Sequence, residues 1–166
     1  MTTLSAAERG PLIEAYAAGP ERLRRAWEAV PAAARQFRPR EGKWSPHEIV
    51  LHCADSETYG AIRIRLLMAE KDPKIIGYDQ ASWAVTFDYH SLPVEPALDA
   101  VSAARNNTTA LLRTLPEEAW AKEGTHSQSG RYTAEDWLRI YAVHVENHAA
   151  QIERAVTAWE ASRRRA

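Results

Sequence analysis

The sequence predicts an all-α four-helix bundle, and three observations carry that expectation. Apolar residues recur at three- and four-residue steps through four long stretches, which is the period of a helix packed on one side. Strand-like alternation is short and confined to the middle of the chain. One connection, residues 71–94, is much longer than the others, and a connection of that length lets two consecutive helices run parallel instead of antiparallel.

The first helix is expected over about residues 5–30. Leu12, Tyr16, Gly19, Leu23, Ala26 and Val30 form its apolar stripe. Gly19-Pro20 interrupts it, because proline removes a backbone donor and clashes with the preceding turn. The stripe keeps its phase across the interruption, so a kink is expected there and not a break. The second helix, about 46–70, has a strong start: Ser45 can cap, Pro46 suits the first helical position and Glu48 completes a capping box. It should end before Asp72-Pro73. The long connection carries Pro73, Gly77, Pro93 and the aromatics Tyr78, Trp83, Phe87 and Tyr89, with room for a short helix over 80–85. A third helix, about 95–114, presents Leu98, Val101, Arg105, Thr108, Leu112 and Leu115. A second loop holds Gly124, His126, Ser127, Ser129 and Gly130. The fourth helix, about 133–162, starts at a Thr133 cap with Asp136 three residues on.

The 166 residues suffice for a single domain over 1–166, and a chain this size can bury about 68–70% of its unfolded surface. Apolar residues at 45% and charged residues at 26% are the balance of a soluble globular protein. The formal net charge of −1 disfavours nucleic-acid binding through a basic surface. The basic run Arg163-Arg164-Arg165 reads as a helix end suited to cations. One cysteine, Cys53, excludes a disulfide within the chain and fits a reducing compartment. The stretch from Met1 to Arg9 lacks the apolar core of a signal peptide, and no stretch approaches the ~20 apolar residues of a membrane span. The expected location is the cytoplasm, with no membrane partner.

The chemistry concentrates on the fourth helix, where Trp137, Tyr141, His144, His148, Ile152, Ala155 and Trp159 form one seam. His144 and His148 stand one turn apart on one face, a spacing at which two imidazoles can grip one metal ion. Two core histidines bonded to neighbours fit the same spacing equally well. The second helix adds His52, in one stripe with Ser56, Tyr59 and Arg63, at the edge of the apolar stripe of Ile49, Cys53, Gly60, Ile64 and Leu67. Asp55 is placed to pair with His52 if that histidine is structural. Three histidines from two helices would leave coordination positions open, the pattern of a catalytic site. Arg63 reads first as an ion-pair partner or a solvated tip and second as a group that binds a substrate carboxylate. Cys53, within an apolar stripe, reads as a small core residue and not a nucleophile. His47 reads as a surface residue, and His90 and His126 lie in loops that could approach the site.

These residues carry a family resemblance. The run Trp44-Ser45-Pro46-His47-Glu48-Ile49-Val50-Leu51-His52-Cys53-Ala54-Asp55-Ser56-Glu57 resembles the first motif of the DinB/YfiT-like superfamily, a Trp-Ser/Thr helix start followed by His-x-x-Asp. His144-Val145-Glu146-Asn147-His148 leading into Gln151-Ile152 is similar to its final helix. Gly77-Tyr78-Asp79-Gln80-Ala81-Ser82-Trp83, Leu111-Leu112 with Leu115-Pro116, and Gly130-Arg131-Tyr132-Thr133 extend the likeness over about residues 10–155. The resemblance implies an up-down-down-up bundle and a divalent metal, nickel, zinc or similar, held by His52, His144 and His148. It implies a small-molecule substrate and homodimers. Members include S-transferases that use bacillithiol or a related low-molecular-weight thiol, a mycothiol-dependent isomerase and proteins described as metal-dependent hydrolases. The leading expectation is metal-dependent thiol transfer onto small electrophiles. The alternatives are a hydrolase, for which Asp55 or Glu146 is the candidate base, and a non-catalytic stress-associated metal-binding bundle. Tyr59 and Arg63 are the candidates for cofactor binding.

Overall fold

The computed structural model describes residues 4–164; Arg165 of the basic run and Met1 to Thr3 lie outside them. Four long helices make the bundle: α1 (Ala6–Glu28), α2 (Pro46–Ala69), α4 (Val94–Leu112) and α5 (Ala134–Arg163). A short α3 (Gln80–Thr86) lies in the crossover between α2 and α4, where a short helix was expected. Ser45 and Thr133 cap α2 and α5 with full capping boxes to Glu48 and Asp136, and Ser5 does the same for α1 with Glu8. Each box satisfies amides that a helix start leaves without partners.

Side-chain pairs fix the direction of each helix. On α1 and α5, Arg9 meets Glu135 and Arg22 meets Glu146 and Glu153, so the two run parallel. On α2 and α4, Glu57 meets Arg105 and Arg65 meets Thr108, again parallel. Trp137 and His144 on α5 reach Gly60 and Glu57 on α2, and Glu14 and Arg24 on α1 reach Arg113, the C-cap of α4, and Asp99 within it, which makes those neighbours antiparallel. The order is therefore up-down-down-up.

The bundle is supplemented by a small sheet that the apolar pattern did not predict. Strands β1 (Lys74–Ile75), β2 (Glu123–His126) and β3 (Gly130–Thr133) lie in that order, β1 parallel to β2 and β2 antiparallel to β3. Gly130 closes the hairpin at φ +78°, a conformation that glycine adopts without penalty. Ile75 and Tyr132 pack from the sheet onto Leu67, Trp137 and Leu138, so the sheet covers the junction of α2 and α5.

The core has two apolar clusters. One gathers Leu23, Trp27, Ile49, Cys53, Val101, Val145 and Ile152; the other gathers Tyr16, Ile64, Leu67, Leu112, Trp137 and Tyr141. Between them, along all four helices, runs a polar layer built on Glu57 and Arg105, both fully buried. Arg105 donates from Nε and Nη2 to the Glu57 carboxylate at 2.8 and 2.9 Å, from Nη2 to Tyr141 O at 2.8 Å and from Nη1 to Tyr16 O at 2.6 Å. The last bond explains Gly19-Pro20. Helix α1 runs through Pro20 without a break. Proline has no N–H to offer the carbonyl four residues back, so Tyr16 O is left for Arg105. Gly19 clears the space, since a Cβ there would lie 2.9 Å from Arg105 Cζ. Among the described residues no helix is long and apolar enough to cross a membrane.

Candidate metal centre

Helix α2 carries His52 and antiparallel α5 carries His144 and His148. The close approach of the two helices is set by Gly60, whose Cβ position would lie 2.5 Å from Tyr141 Cε1, and by the Trp137 indole donating to Gly60 O at 2.8 Å. The three rings consequently converge. His52 lies 4.8 Å from His148 and 5.5 Å from His144 between ring centroids, and His144 and His148 are 4.6 Å apart. One potential ligand atom from each lies within 4.8 Å of the others.

The partners of the rings determine what they can do. His144 Nδ1 lies 2.8 Å from Glu57 Oε1, and His148 Nδ1 lies 3.0 Å from Gln151 Oε1. A carboxylate and an amide oxygen only accept, so each Nδ1 carries a proton, and it is Nε2 that holds the lone pair in the neutral ring. His52 is 2% exposed, and its Nδ1 has no hydrogen-bond partner among the described residues. Burial, with His148 and His144 alongside, pushes its pKa down to about 2; burial and His144 push His148 down to about 4. Both rings are neutral near pH 7, as ligands must be. Three imidazoles from two helices, one with an unpartnered buried nitrogen, suit a borderline divalent ion of the zinc or nickel kind.

His144 opens onto a cavity of about 580 Å³ that Ser56, Arg63, Tyr78, His126, Gln128 and Tyr141 also line. Arg63 donates to Tyr141 Oη at 3.2 Å and Ile76 O at 2.9 Å while lying 5.0 Å over the Tyr59 ring. It makes no ion pair among the described residues, and it is held with its guanidinium at the cavity. Tyr59 does not line the cavity itself; it stacks against Tyr78 at 5.1 Å and Trp83 at 5.9 Å, so the crossover aromatics form a wall behind it. His126 Nδ1 accepts the Gln128 amide at 3.2 Å, which puts the ring proton on Nε2.

The remaining candidates lie elsewhere. Asp55 does not meet His52; it accepts the Tyr89 hydroxyl. Glu146 points outward, bound to Arg22 at 3.0 Å. His90 bonds Ser45 Oγ at 2.7 Å beside the α2 cap, and His47 lies 2.9 Å from Leu92 O. Cys53 is fully buried, and burial holds its thiol far above its ordinary value. Three participants stood in the sequence's motifs and stripes without a role assigned: Glu57, Arg105 and Gln151. A signal existed for two of them. Arg105 stands in the apolar stripe of its helix and Glu57 one turn beyond Cys53, and charges in core stripes must pair.

The DinB superfamily profile matches residues 15–152. A protein of Oceanobacillus iheyensis that carries the provisional name metal-dependent hydrolase is 34% identical over 113 residues, 68% of this chain; the match spans 65% of the relative, just under two thirds. YfiT of Bacillus subtilis, with the same provisional name, is 27% identical over 151 residues, 90% of this chain and 85% of its own. The solved structure of YfiT, described as a four-helix bundle of unusual topology, superposes with a TM-score of 0.87 over 93% of this chain and 89% of that one. A mycothiol-dependent maleylpyruvate isomerase superposes with a TM-score of 0.69 at 18% identity, over 92% of this chain and 63% of that one, a likeness of fold alone.

Proposed function

Since this chain belongs to the DinB superfamily, we infer that it is a metal-dependent enzyme whose ion is held by His52, His144 and His148. The observation that carries this reading is the convergence of three imidazoles beside a polar cavity. The provisional names of its relatives support it. The reaction is the transfer of a low-molecular-weight thiol onto a small electrophile. A bound divalent ion supplies Lewis acidity, which lowers the pKa of a thiol or a water from its solution value.

The chain's own residues do the rest. Glu57 and Gln151 hold the Nδ1 protons of His144 and His148 and so aim both Nε2 lone pairs. Arg63, with its guanidinium fixed by Tyr59, Tyr141 and Ile76 O, binds a carboxylate of the substrate. His126 donates its Nε2 proton to a substrate oxygen at the cavity rim. Thiol transfer needs no protein base once the thiol is ionised, and the cavity supplies no free carboxylate. Asp79 is the one acid among its described lining residues, and its Oδ1 accepts the amides of Ala81 and Ser82 at 3.0 Å.

The relatives' names favour hydrolysis as the second reading. There the ion's Lewis acidity would have to ionise water without a protein base, because the one lone pair of the neutral His126 ring, on Nδ1, accepts the Gln128 amide. The test is elemental analysis of tag-free protein followed by electrophile consumption with and without added thiol. Stoichiometric nickel, zinc or a similar ion, with turnover only when cysteine or another small thiol is supplied, is the expected result. Turnover without thiol would establish the hydrolase. Metal without any turnover would leave a non-catalytic bundle, and no metal after incubation with several divalent ions would end the enzymatic reading.

A further inference from the structure

A second concavity, of about 440 Å³, lies on the other side of the imidazole trio, and its lining includes Arg40, Lys43, Trp44, Gln151 and Arg154. Three cations and no carboxylate line it. Two come from a tight turn before α2: Lys43 N donates to Arg40 O at 3.1 Å with Gly42 at φ +70° in the third position. That geometry belongs to a turn with glycine in the left-handed region, and it brings the first and fourth residues side by side. Arg154 joins them from α5, three residues beyond Gln151.

Cations without a carboxylate partner occur elsewhere among the described residues, Arg63 among them, but these three share one recess. Arg9, Arg22, Arg24, Arg38, Arg105, Arg113 and Arg131 each pair with a carboxylate. Arg40, Lys43 and Arg154 have no side-chain partner among the described residues, although all three are exposed. The nearest acids in sequence are committed or outside the lining: Glu153 binds Arg22 at 2.8 Å, Glu48 binds Arg38, and Glu41 is absent from the concavity. On a chain of net charge −1 this is local positive charge, and it is concave. One side chain separates it from the trio on each side. Trp44 lies 4.7 Å from the His52 ring, and Gln151 holds His148.

We propose that this concavity binds a small oxyanion-bearing molecule, through a carboxylate or phosphate group held by Arg40, Lys43 and Arg154 with Trp44 as its floor. Three cations in one recess match a compact anion and not the phosphate run of a polynucleotide. That the bound molecule is a reactant rests on the metal-centre reading above; the binding of the anion does not.

The full chain as purified is titrated separately with inorganic phosphate and with succinate. Heat is measured, together with the shift of the Trp44 indole N–H resonance, which is assigned by its loss in Trp44→Phe. Saturable binding of one or both probes is expected, and the tighter probe identifies phosphate or carboxylate as the natural group. The triple variant Arg40→Gln, Lys43→Gln, Arg154→Gln should weaken binding about tenfold or more, since charge-assisted hydrogen bonds are the strong ones. Arg154→Gln alone, whose side chain has no partner to lose, serves if the triple variant is unfolded. Absence of binding by the unmodified chain, or equal affinity in the triple variant, overturns the proposal. His148→Ala separates the two readings: metal lost with anion binding kept leaves this site standing without the metal centre's chemistry. Anion binding lost in His148→Ala and kept in the triple variant places the anion on the trio and overturns the proposal.

Discussion

Glu57 does two jobs at one carboxylate. One oxygen faces the His144 ring and both face Arg105, and neither the carboxylate nor the guanidinium is open to water. Burial raises its pKa, but the Arg105 charge and the His144 and Arg105 hydrogen bonds outweigh that and hold it below the ordinary value, so it stays ionised. Glu57→Gln leaves Arg105 charged and buried without a counter-ion. Breaking one side of a buried pair costs about 3–5 kcal/mol, and losing a carboxylate behind a ligating histidine costs about 10–100-fold in metal affinity. Thermal unfolding and a competition titration with a chelating dye would measure both losses. A variant with unchanged metal affinity would show that Glu57 serves stability alone. Cys53 makes the opposite case. Its thiol is inside the apolar cluster, so Ellman's reagent should react with it only after unfolding, and Cys53→Ala should leave turnover essentially intact. The histidines could be read from the sequence because their spacing matches a helical turn. Gln151 could not, since a glutamine three residues past a histidine looks like any exposed polar position until the helix is packed.

At the scale of elements, the site depends on how closely α2 and α5 approach. Gly60 permits the Tyr141 ring to lie against the α2 backbone two turns from His52. Gly60→Ala has no room for its methyl group without moving that ring or the helix. Overpacking of this kind costs about 1–3 kcal/mol. It should also weaken metal binding more than it weakens folding, because His52 and His148 sit on the two separated helices; equal losses would argue against this geometric role. The α2 start gives a pH-dependent prediction. Burial pushes Glu48 up, but the Arg38 bond and the Ser45 amide pull it further down, so its net pKa lies below the ordinary value. A depressed carboxyl adds stability above its unfolded pKa and loses it as pH falls through the folded one. Glu48→Gln keeps an oxygen for the Ser45 amide but loses the charge that pairs with the half-exposed Arg38, so it should be less stable than the parent at pH 7 by about 1–2 kcal/mol, the low end for a hydrogen bond between charged groups. The gap should close on acidification below about pH 4.3, the ordinary Glu value; denaturant midpoints across pH would show it. The helix starts were readable because capping boxes are local chemistry. The sheet was not, because β1 has two residues and pairs with a strand almost fifty positions later, which no local period records.

For the whole molecule, the polar layer and the trio act as paired fasteners. Arg105 ties α4 to α2, to α1 through Tyr16 O and to α5 through Tyr141 O, so a one-turn slip of any helix would strand a buried charge. A parallel second and third long helix was readable from the long crossover, and the up-down-down-up order from the family resemblance; the device that holds its register was not, since it depends on a notch in α1 that the sequence presents only as a proline out of place. The trio ties α2 to α5 a turn further along. An ion that binds the folded trio and not the separated helices must stabilise the fold, by about 2.7 kcal/mol at a free concentration one hundred times its dissociation constant. For a chain of this size that is a rise of about 5–10 °C in Tm. Removing the ion with a strong chelator should lower Tm by that amount, and adding back zinc or nickel should restore it. In His148→Ala the same additions should leave Tm unmoved, because two imidazoles no longer span the helices as a closed set. A chelator-insensitive Tm in the parent, with metal present by elemental analysis, would mean that the ion sits somewhere other than between α2 and α5. The fold and the site are then one system: the ligands close the bundle only because the Arg105 layer has already fixed which turn of α5 faces which turn of α2.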